Sequence, residues 1–479
     1  MGEMIPHWLT KQSQLSPKRS AIELVNGESI TFQELEERSK QFAGRLAALG
    51  VDKGQHIGVL SSNSLEMVYT IHALSYLGAV AVMLNIRLTD GELNFQLNDA
   101  EVEFLITDQE QTQRNLNVAQ MVTYKEIAEQ DQAETRNFRE DIHLDDAFTI
   151  MYTSGTTGQP KGVVHTYGNY WWSCIASALN LGLHHNDKWL ISLPLFHVSG
   201  MSTLMKSAIY GMPIYLMKKF DETKVHEAIM HDNITIVSVV TVMLQRLMEK
   251  LGEDRYPETM RCFLLGGGPA PRILLEKAKA KSIPVFQSYG MTETTSQIAT
   301  LSAEDALTHI GSAGQALLPA QIKIAEPAED GVGEIIVKGP MVTKGYYKNE
   351  EANEESFQNG WLYTGDLGYL DDGGYLYVVD RRTDLIISGG ENIYPSEIEN
   401  ALLKIPAIKE AGVTRMEDET WGHVPVAYVV LQEPITEEEI IEALHDYLAK
   451  YKIPKKIHFV DSLPRNAANK LMRNRLREL

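Results

Sequence analysis

The chain has 479 residues, 44% hydrophobic and 23% charged, a composition typical of a soluble globular protein with about two to four domains. Its formal net charge of −20 argues against nonspecific binding to nucleic acid or to an anionic membrane surface. The longest apolar run, around residues 76–84, is far shorter than the roughly 20 residues of a membrane helix, so we expect no membrane insertion. The two cysteines, Cys174 and Cys262, stand in no metal-ligand pattern and the amino end lacks a signal-peptide pattern, so we expect a cytoplasmic protein.

The first two-thirds of the chain alternates helix-like and strand-like segments. Thr31 and Glu34 form a capping-box pattern at the start of a helix that Gly50 ends. Further helices are predicted at 64–77, 169–181 and 198–210. Strands are predicted at 57–60, 79–84, 104–107, 148–152, 189–193, 213–217, 234–240 and 262–265. This alternation favours layered α/β structure with largely parallel sheets.

The texture of the sequence changes after about residue 315, where short strands are separated by Gly/Asp turns. From about residue 384 a separate block begins, and the polar, charged run 380–383 before it is the predicted boundary. In this block we predict helices and strands at 396–404, 408–413, 424–431 and 437–450.

The sharpest motif is a segment rich in glycine and threonine that directly follows the strand predicted at 148–152. Glycines let the backbone turn toward a ligand, hydroxyls and amides donate to phosphate oxygens, and a lysine supplies positive charge. The spacing is not that of a Walker P-loop, and a solvated turn is the alternative interpretation. The candidate residues are Thr153, Ser154, Gly155, Thr156, Thr157, Gly158 and Lys161.

Two further loops follow predicted strands, where ligands of α/β sheets collect. A triple glycine admits a flat ring against the backbone, Tyr289 can stack on a base, and the oxygens of Glu293 suit a hard cation. A tight turn and an exposed acidic turn are the alternative interpretations. The candidates in the two loops are Gly266, Gly267, Gly268, Gln287, Ser288, Tyr289, Thr292 and Glu293.

Three later segments complete the pattern. Asp366, in a Thr-Gly-Asp sequence, can accept hydrogen bonds from two ribose hydroxyls, although such a sequence also fits a β-turn. The run 380–399 contains a double glycine and several charges. Lys470 lies in a loop near the carboxyl terminus, where a lysine is usually only solvated.

Together these segments resemble, in order and spacing, the adenylate-forming superfamily of acyl-CoA synthetases, adenylation domains and luciferases. The resemblance covers nearly the whole chain. Within the superfamily it is greatest to the ligases that join o-succinylbenzoate to CoA in menaquinone biosynthesis, on the stretches 193–211, 264–271, 380–399 and 463–471. It implies a large N-terminal domain, residues 1–382, of layered α/β sheets with a small distorted barrel. It also implies a small mobile α+β C-terminal domain, residues 383–479.

The resemblance implies a ligase with two half-reactions. A carboxylate attacks the α-phosphate of Mg·ATP to give an acyl-adenylate and pyrophosphate, and after rotation of the small domain the thiol of coenzyme A displaces AMP. By this resemblance the segment 153–161 holds the β- and γ-phosphates, and 266–268 and 287–289 form the adenine slot. Thr292 contacts the α-phosphate and Glu293 holds Mg²⁺, for which Mn²⁺ is an alternative.

The resemblance also implies roles for residues outside these loops. Asp366 binds the ribose hydroxyls with help from Arg381, and Lys470 reaches the carboxylate and the α-phosphate during adenylation. His197 corresponds to an aromatic or histidine gate near the acyl site, with a packed or surface histidine as the alternative.

The resemblance also assigns roles to two glycines and one threonine of the small domain. Gly389 and Gly390 correspond to a stretch that lines the pantetheine tunnel. Thr383 replaces the Asp or Lys that is usual at the hinge of the superfamily, so the energetics of the hinge are expected to differ. A hinge nevertheless only has to absorb a backbone change.

The acyl substrate is predicted from charge. o-Succinylbenzoate has a second carboxylate, which is costly to bury unpaired, and Lys206 on the predicted helix 198–210 is the candidate partner. Ser238 and Thr241, at the end of the predicted strand 234–240, are candidates for the same pocket. A solvated or snorkelling lysine is the alternative for Lys206.

Three functional alternatives stay open at this stage. In the first alternative the enzyme is a CoA ligase for another carboxylic acid, such as a medium-chain or aryl acid. In the second it is an adenylation domain that loads a carrier protein. From a different class, the chain is a nucleotide-binding sensor, although such a protein does not need Lys470. The sequence also leaves open whether the protein is a homo-oligomer.

Overall fold

The structure is a computed structural model that describes most of the chain. The described residues are 3–131, 138–154, 160–267, 272–327, 331–381, 384, 386–464, 471 and 473–479. Among them, no helix is both long and apolar enough to cross a membrane.

A six-stranded sheet lies near the amino end of the fold. Five of its strands are parallel, and the sixth pairs antiparallel with Ala147–Ser154. The spatial order is Pro160–Thr166, Ala147–Ser154, Val80–Leu84, His56–Leu60, Phe104–Thr107 and Gln120–Thr123. Because the parallel strands are nearly continuous apolar runs, they are buried on both faces by helices.

A second sheet is built around six parallel strands with an antiparallel strand at each side. The spatial order is Ser29–Thr31, Ser20–Leu24, Ile214–Leu216, Trp189–Ile191, Ile236–Val239, Cys262–Leu265, Val285–Gly290 and Gln297–Leu301. Antiparallel strands extend it further, in the region where the small barrel is expected. They are Ser312–Ala316, Gln321–Ala325, Gly333–Lys338, Phe357–Gln358, Trp361–Leu370 and Leu376–Arg381.

Helices cover the two parallel sheets, as the alternating sequence pattern predicts. They are Trp8–Leu15, Phe32–Ala48, Leu65–Leu77, Asp90–Asp99, Tyr124–Glu129, Tyr167–Leu181, Val198–Tyr210, Glu222–His231, Thr241–Leu251, Arg272–Ala280 and Glu350–Ser356. The capping box is confirmed: the amide of Thr31 donates to Glu34 Oε2 at 2.8 Å, and the amide of Glu34 donates to Thr31 Oγ1 at 3.2 Å. The remaining short elements are the strands Met4–Pro6 and Asp141–His143 and the 3₁₀ turns Gln109–Gln111, Thr292–Thr294, Lys450–Lys452 and Arg473–Glu478.

The C-terminal part has its own five-stranded sheet and its own apolar core. Its elements are Ile386–Ser388, Glu391–Ile393, Pro395–Leu402, Ile408–Asp418, Gly422–Leu431, Glu437–Leu444 and Lys456–Phe459. The α/β fold class is therefore confirmed, while the division at residues 382 and 383 stays a prediction because both residues lie outside the described part.

Two predicted element boundaries in this part are wrong. The helix predicted at 437–450 ends at Leu444, and the chain then turns so that Leu448 and Lys452 are both buried. The strand predicted at 408–413 continues to Asp418, because residues 410–418 pair along the facing strand Gly422–Leu431. Pairing between strands, which a local sequence pattern does not contain, decides the second boundary.

Candidate active site

A cavity of about 1070 Å³ lies where the carboxyl ends of several parallel strands meet the C-terminal part of the chain. Most of the predicted site residues reach its wall, although they come from segments far apart in the sequence. Those that line it are Thr153, Lys161, His197, Lys206, Ser238, Gly266, Gly267, Ser288, Thr292, Glu293, Asp366, Gly389 and Gly390. The strand-end loops thus form a single site, as the sheet topology predicts.

The remaining candidates fall into three groups. Gly155, Thr156, Thr157, Gly158, Gly268, Lys470 and the hinge candidate Thr383 lie outside the described residues. For Ser154 and Arg381 the structure gives the strand backbone, and Arg381 is in register with Asp366 on the neighbouring strand. Gln287, Tyr289 and Thr241 are described but do not line the cavity.

The position of Thr241 differs from the prediction. The strand ends at Val239, and Thr241 is the first residue of the helix Thr241–Leu251. Ser238 lines the cavity and accepts a hydrogen bond from the indole nitrogen of Trp189 at 3.0 Å. Of the two residues, only Ser238 is therefore a candidate for direct contact with an acyl group.

A lysine, a tyrosine and a glutamate form the part of the cavity expected to hold phosphates and metal. Lys161 is buried, with Nζ 5.1 Å from the ring centre of Tyr346. The hydroxyl of Tyr346 donates to Glu293 Oε1 at 3.0 Å. Burial, and then the charge of Glu293, raise the pKa of Tyr346, so its hydroxyl stays protonated and available as a donor. Tyr346 was not predicted, because nothing in its local sequence links it to Glu293.

A buried histidine supports the neighbouring Thr292. His165 Nε2 donates to the carbonyl of Thr292 at 2.7 Å, and Nδ1 lies 3.2 Å from Thr149 Oγ1. Burial lowers the pKa of His165 to about 4, so the ring is neutral at pH 7. It fixes the backbone that presents Thr292 and Glu293. No local sequence pattern indicates this role, since a lone histidine in a strand is usually only part of the core.

The orientation of Tyr289 follows from the alternation of side chains along Val285–Gly290. Ser288 and Gly290 face the cavity, and Tyr289 points to the other face. Its hydroxyl donates to Asp366 Oδ2 at 2.8 Å. In this structure Tyr289 orients the carboxylate of Asp366, whereas the sequence predicts that Tyr289 stacks on a base.

Lys206 is buried in the wall of the cavity, on the helix face that also carries Ser199, Ser202 and Thr203. Its Nζ lies 4.8 Å from the ring centre of Trp189, and no carboxylate of the described residues is within 4 Å of it. Burial lowers the pKa of Lys206 to about 8. An ammonium in this position favours an anionic ligand, which would offset the cost of burying the charge.

The C-terminal part closes the cavity with the turn that contains Gly389 and Gly390. Both have a positive φ, and a Cβ atom on Gly389 would lie 2.6 Å from the ring of Trp421. Next to them, Glu391 Oε2 lies 3.6 Å from His197 Nε2, and Oε1 accepts a hydrogen bond from Arg87. Burial alone would raise the pKa of Glu391, but His197 and Arg87 outweigh it and the pKa is lowered.

The donor set fits Mg²⁺ shared with phosphate groups. Among the described residues, no three His, Cys, Asp or Glu side chains converge into a protein cage. Glu293 offers a carboxylate at the cavity wall near the buried Lys161. One or two carboxylates together with substrate phosphates are the usual protein environment of Mg²⁺ beside a nucleotide.

Comparison with known proteins agrees with this geometry. The family model described as AMP-binding enzyme matches residues 9–347, and that of the AMP-binding enzyme C-terminal domain matches residues 397–470. A 2-succinylbenzoate–CoA ligase from Oceanobacillus iheyensis is 60% identical over 479 residues, covering 99% of this chain and all of that protein.

Solved structures of o-succinylbenzoate CoA synthetase from Bacillus subtilis are 49% identical to the chain. A double mutant bound with its product analogue gives a TM-score of 0.96, covering 100% of this chain and 99% of that one. The complex with the acyl-adenylate intermediate gives a TM-score of 0.77 and covers 99% of this chain and 98% of that one. The complex with ATP and magnesium gives a TM-score of 0.78 and covers 99% of this chain and 100% of that one. The chain therefore belongs to the AMP-binding enzyme family.

Proposed function

We infer that the chain is an AMP-forming acid–thiol ligase that adenylates o-succinylbenzoate and transfers the acyl group to coenzyme A. Its products are o-succinylbenzoyl-CoA, AMP and pyrophosphate, and the reaction belongs to menaquinone biosynthesis. ATP and coenzyme A are co-substrates, and Mg²⁺ is the metal. The observation that carries this inference is the full-length similarity, at 60% identity, to a 2-succinylbenzoate–CoA ligase.

In the first half-reaction an oxygen of the acid carboxylate bonds to the α-phosphorus, and the bond to the leaving pyrophosphate breaks. Mg²⁺ neutralises the charge that develops on the phosphates. We assign Lys161 to the β- and γ-phosphates and Asp366, oriented by Tyr289, to the ribose hydroxyls. Lys470, outside the described residues, is proposed for the α-phosphate and the attacking carboxylate. Such catalysis depends on positioning and on stabilising developing charge.

In the second half-reaction the sulfur of coenzyme A bonds to the acyl carbon, and the bond between that carbon and the AMP oxygen breaks. The thiol proton passes to solvent water, and AMP leaves as an anion that needs no protonation. Gly389 and Gly390 are proposed to border the path of the pantetheine arm, with His197 at its inner end. The greater structural likeness to the product-analogue complex than to the acyl-adenylate and ATP complexes supports a thioester-forming arrangement here.

We assign the second carboxylate of o-succinylbenzoate to Lys206. This ammonium is buried at the cavity wall beside Trp189 and Ser238, with no described carboxylate within 4 Å. A monocarboxylic acid such as benzoate or octanoate would leave it unpaired, which costs free energy. The lysine thus accounts for a preference for a dicarboxylate.

The test is detection of acyl-CoA and AMP by mass spectrometry, from purified protein with Mg·ATP, CoA and one acid at a time. The panel is o-succinylbenzoate, benzoate, succinate and octanoate. A product formed only or overwhelmingly with o-succinylbenzoate supports the assignment. A preference for benzoate or octanoate would retain the ligase chemistry and discard both the menaquinone role and the function of Lys206. Binding of ATP without release of pyrophosphate would instead favour a sensor.

A further inference from the structure

The contact between the large domain and the C-terminal part contains a buried group of three charges. Lys452 Nζ lies 2.8 Å from Glu92 Oε1 and 2.6 Å from Glu397 Oε1. The lysine side chain is 5% exposed and each carboxylate side chain is 9% exposed. Glu92 lies in the large domain, 360 residues from Lys452, and Glu397 lies in the helix Pro395–Leu402. The three residues are called the Glu92–Lys452–Glu397 cluster below.

Glu92 also has a local role that fixes its position. As the third residue of the helix Asp90–Asp99, it accepts hydrogen bonds through Oε2 from the amide and hydroxyl of Thr89, at 2.8 and 2.9 Å. Its other oxygen is the one that reaches Lys452. The capping box therefore holds a carboxylate at the domain contact before the C-terminal part arrives.

The net charge of the cluster depends on whether the C-terminal part is docked against the large domain. Two carboxylates share one ammonium, and Glu397 Oε2 is buried without a hydrogen-bond partner. Burial, and then the nearby charge of Glu92, raise the pKa of Glu397, although Lys452 opposes this. Within the C-terminal part, Lys452 and Glu397 form a pair by themselves. Glu92 is the member that only a docked arrangement supplies.

We propose that the Glu92–Lys452–Glu397 cluster is an ionic latch that holds the C-terminal part docked for the thioester-forming half-reaction. Glu92 is thus a positioning residue for the second step and takes no part in the first. This inference rests on the proposed function and on the likeness to the product-analogue complex. A buried, charge-assisted contact is strong enough to bias two domain arrangements. Without this contact, the binding of coenzyme A would have to supply the free energy that docks the C-terminal part.

The test compares Glu92→Gln with Glu126→Gln. Glutamine retains the capping box in each case. Glu126 occupies the same position in another capping box, with hydrogen bonds of 2.8 Å from the amide and hydroxyl of Thr123, and its helix is Tyr124–Glu129. It is the matched control, because no described ion pair joins it to the C-terminal part.

Two rates are measured for each variant: pyrophosphate release from ATP and o-succinylbenzoate, and acyl-CoA formation from preformed acyl-adenylate mixed with coenzyme A. For Glu92→Gln we expect the apparent KM for coenzyme A in the second assay to rise about tenfold. Pyrophosphate release should stay within about twofold of wild type, and Glu126→Gln should match wild type in both assays. In a Lys452→Met background, Glu92→Gln should add little further change.

An equal loss in both half-reactions, the same loss in Glu126→Gln, or an unchanged KM for coenzyme A would overturn the latch. These outcomes are distinct from failure of the proposed function. In that case the wild-type protein itself would form no o-succinylbenzoyl-CoA. Thermal unfolding of each variant identifies a folding defect, and the Lys452→Met background still tests the coupling between the two side chains.

Discussion

At the scale of single residues, the site is governed by how burial changes the charge of a side chain. Lys206 and His165 are both fully buried, yet the first retains much of its charge near neutral pH and the second is neutral. The lysine suits an anionic ligand, and the neutral histidine suits a carbonyl acceptor. The protonation state of each side chain therefore depends on its surroundings as well as on its residue type.

Replacing Lys206 with methionine should raise KM for o-succinylbenzoate by roughly 10- to 100-fold, the value of a charge-assisted contact, and leave KM for ATP unchanged. The wild-type KM for the acid should also depend on pH. Burial lowers the pKa of Lys206 to about 8, so the residue is charged below that pH and loses its proton above it. KM should therefore rise above pH 8 in the wild type and stay flat in Lys206→Met. Steady-state kinetics from pH 6.5 to about 9.5 measure both effects. An unchanged KM for the acid would refute the role of Lys206.

At the scale of elements, the turn at Gly389 and Gly390 is restricted by both backbone and packing. Gly389 has φ +56°, and a Cβ atom there would lie 2.6 Å from the Trp421 ring. A Cβ atom on Gly390 would lie 3.1 Å from Val240 in the large domain. Glycine is therefore needed for close approach to an aromatic ring and for docking, in addition to any role beside the pantetheine arm.

Gly389→Ala should reduce acyl-CoA formation by at least about tenfold, because Trp421 or the turn must shift away from the docked position. Gly374→Ala is the control for backbone strain. Its φ is +76°, and a Cβ atom there would have no neighbour within 4 Å. The control should lose about 1–2 kcal/mol of stability from left-handed strain and retain activity. Equal activity losses in the two variants would show that strain, and not the contact with Trp421, limits the enzyme.

At the scale of the whole molecule, one cavity serves two half-reactions with different charge requirements. In the first, the phosphates of ATP are proposed to bind beside Glu293 and Lys161, which line the cavity. The second joins a thiol to an acyl carbon after pyrophosphate has left. A cation held between Glu293 and the phosphates has a role only in the first. Removal of the metal should therefore stop the first half-reaction and spare the second.

Chelation of Mg²⁺ should abolish pyrophosphate release and leave acyl-CoA formation from preformed acyl-adenylate nearly unchanged. The reason is that metal-assisted neutralisation acts on the phosphates of ATP. Quenched assays of the two half-reactions, with and without EDTA, check this expectation. Loss of the second half-reaction as well would indicate a metal that also supports docking or the bound adenylate. Restoring excess Mg²⁺ is the control for damage by the chelator.

Stability should fall in mild acid, because His72 and His165 are buried and burial lowers the pKa of each to about 4. The unfolded chain takes up these protons near pH 6.5 and the folded chain does not, so stability is lost as the pH falls from 6.5 toward 4. At pH 5 the loss relative to neutral pH is about 2 kcal/mol per histidine. Urea unfolding at pH 7.5 and pH 5 measures it. His72→Gln should reduce the difference in the free energy of unfolding between pH 7.5 and pH 5. An unchanged difference would contradict the role of His72 in the acid sensitivity.

The sequence by itself determined most of the local elements and indicated the motifs whose residues line the cavity. The capping residues and the glycine at 78 set helix ends, because those interactions lie within a few residues of each other. The motifs that carry Lys161, Glu293 and Asp366 indicated the ligand chemistry through their resemblance, in order and spacing, to the adenylate-forming superfamily.

Only the tertiary structure decided which side chains support those groups. Tyr346 reaches Glu293 across 53 residues, and Lys452 reaches Glu92 across 360. Tyr289 does not line the cavity and instead donates to Asp366, because the opposite face of its strand is covered by an apolar cluster that includes Ala176 of the helix Tyr167–Leu181. Such contacts depend on how separate elements pack, and no local pattern of residues encodes that packing.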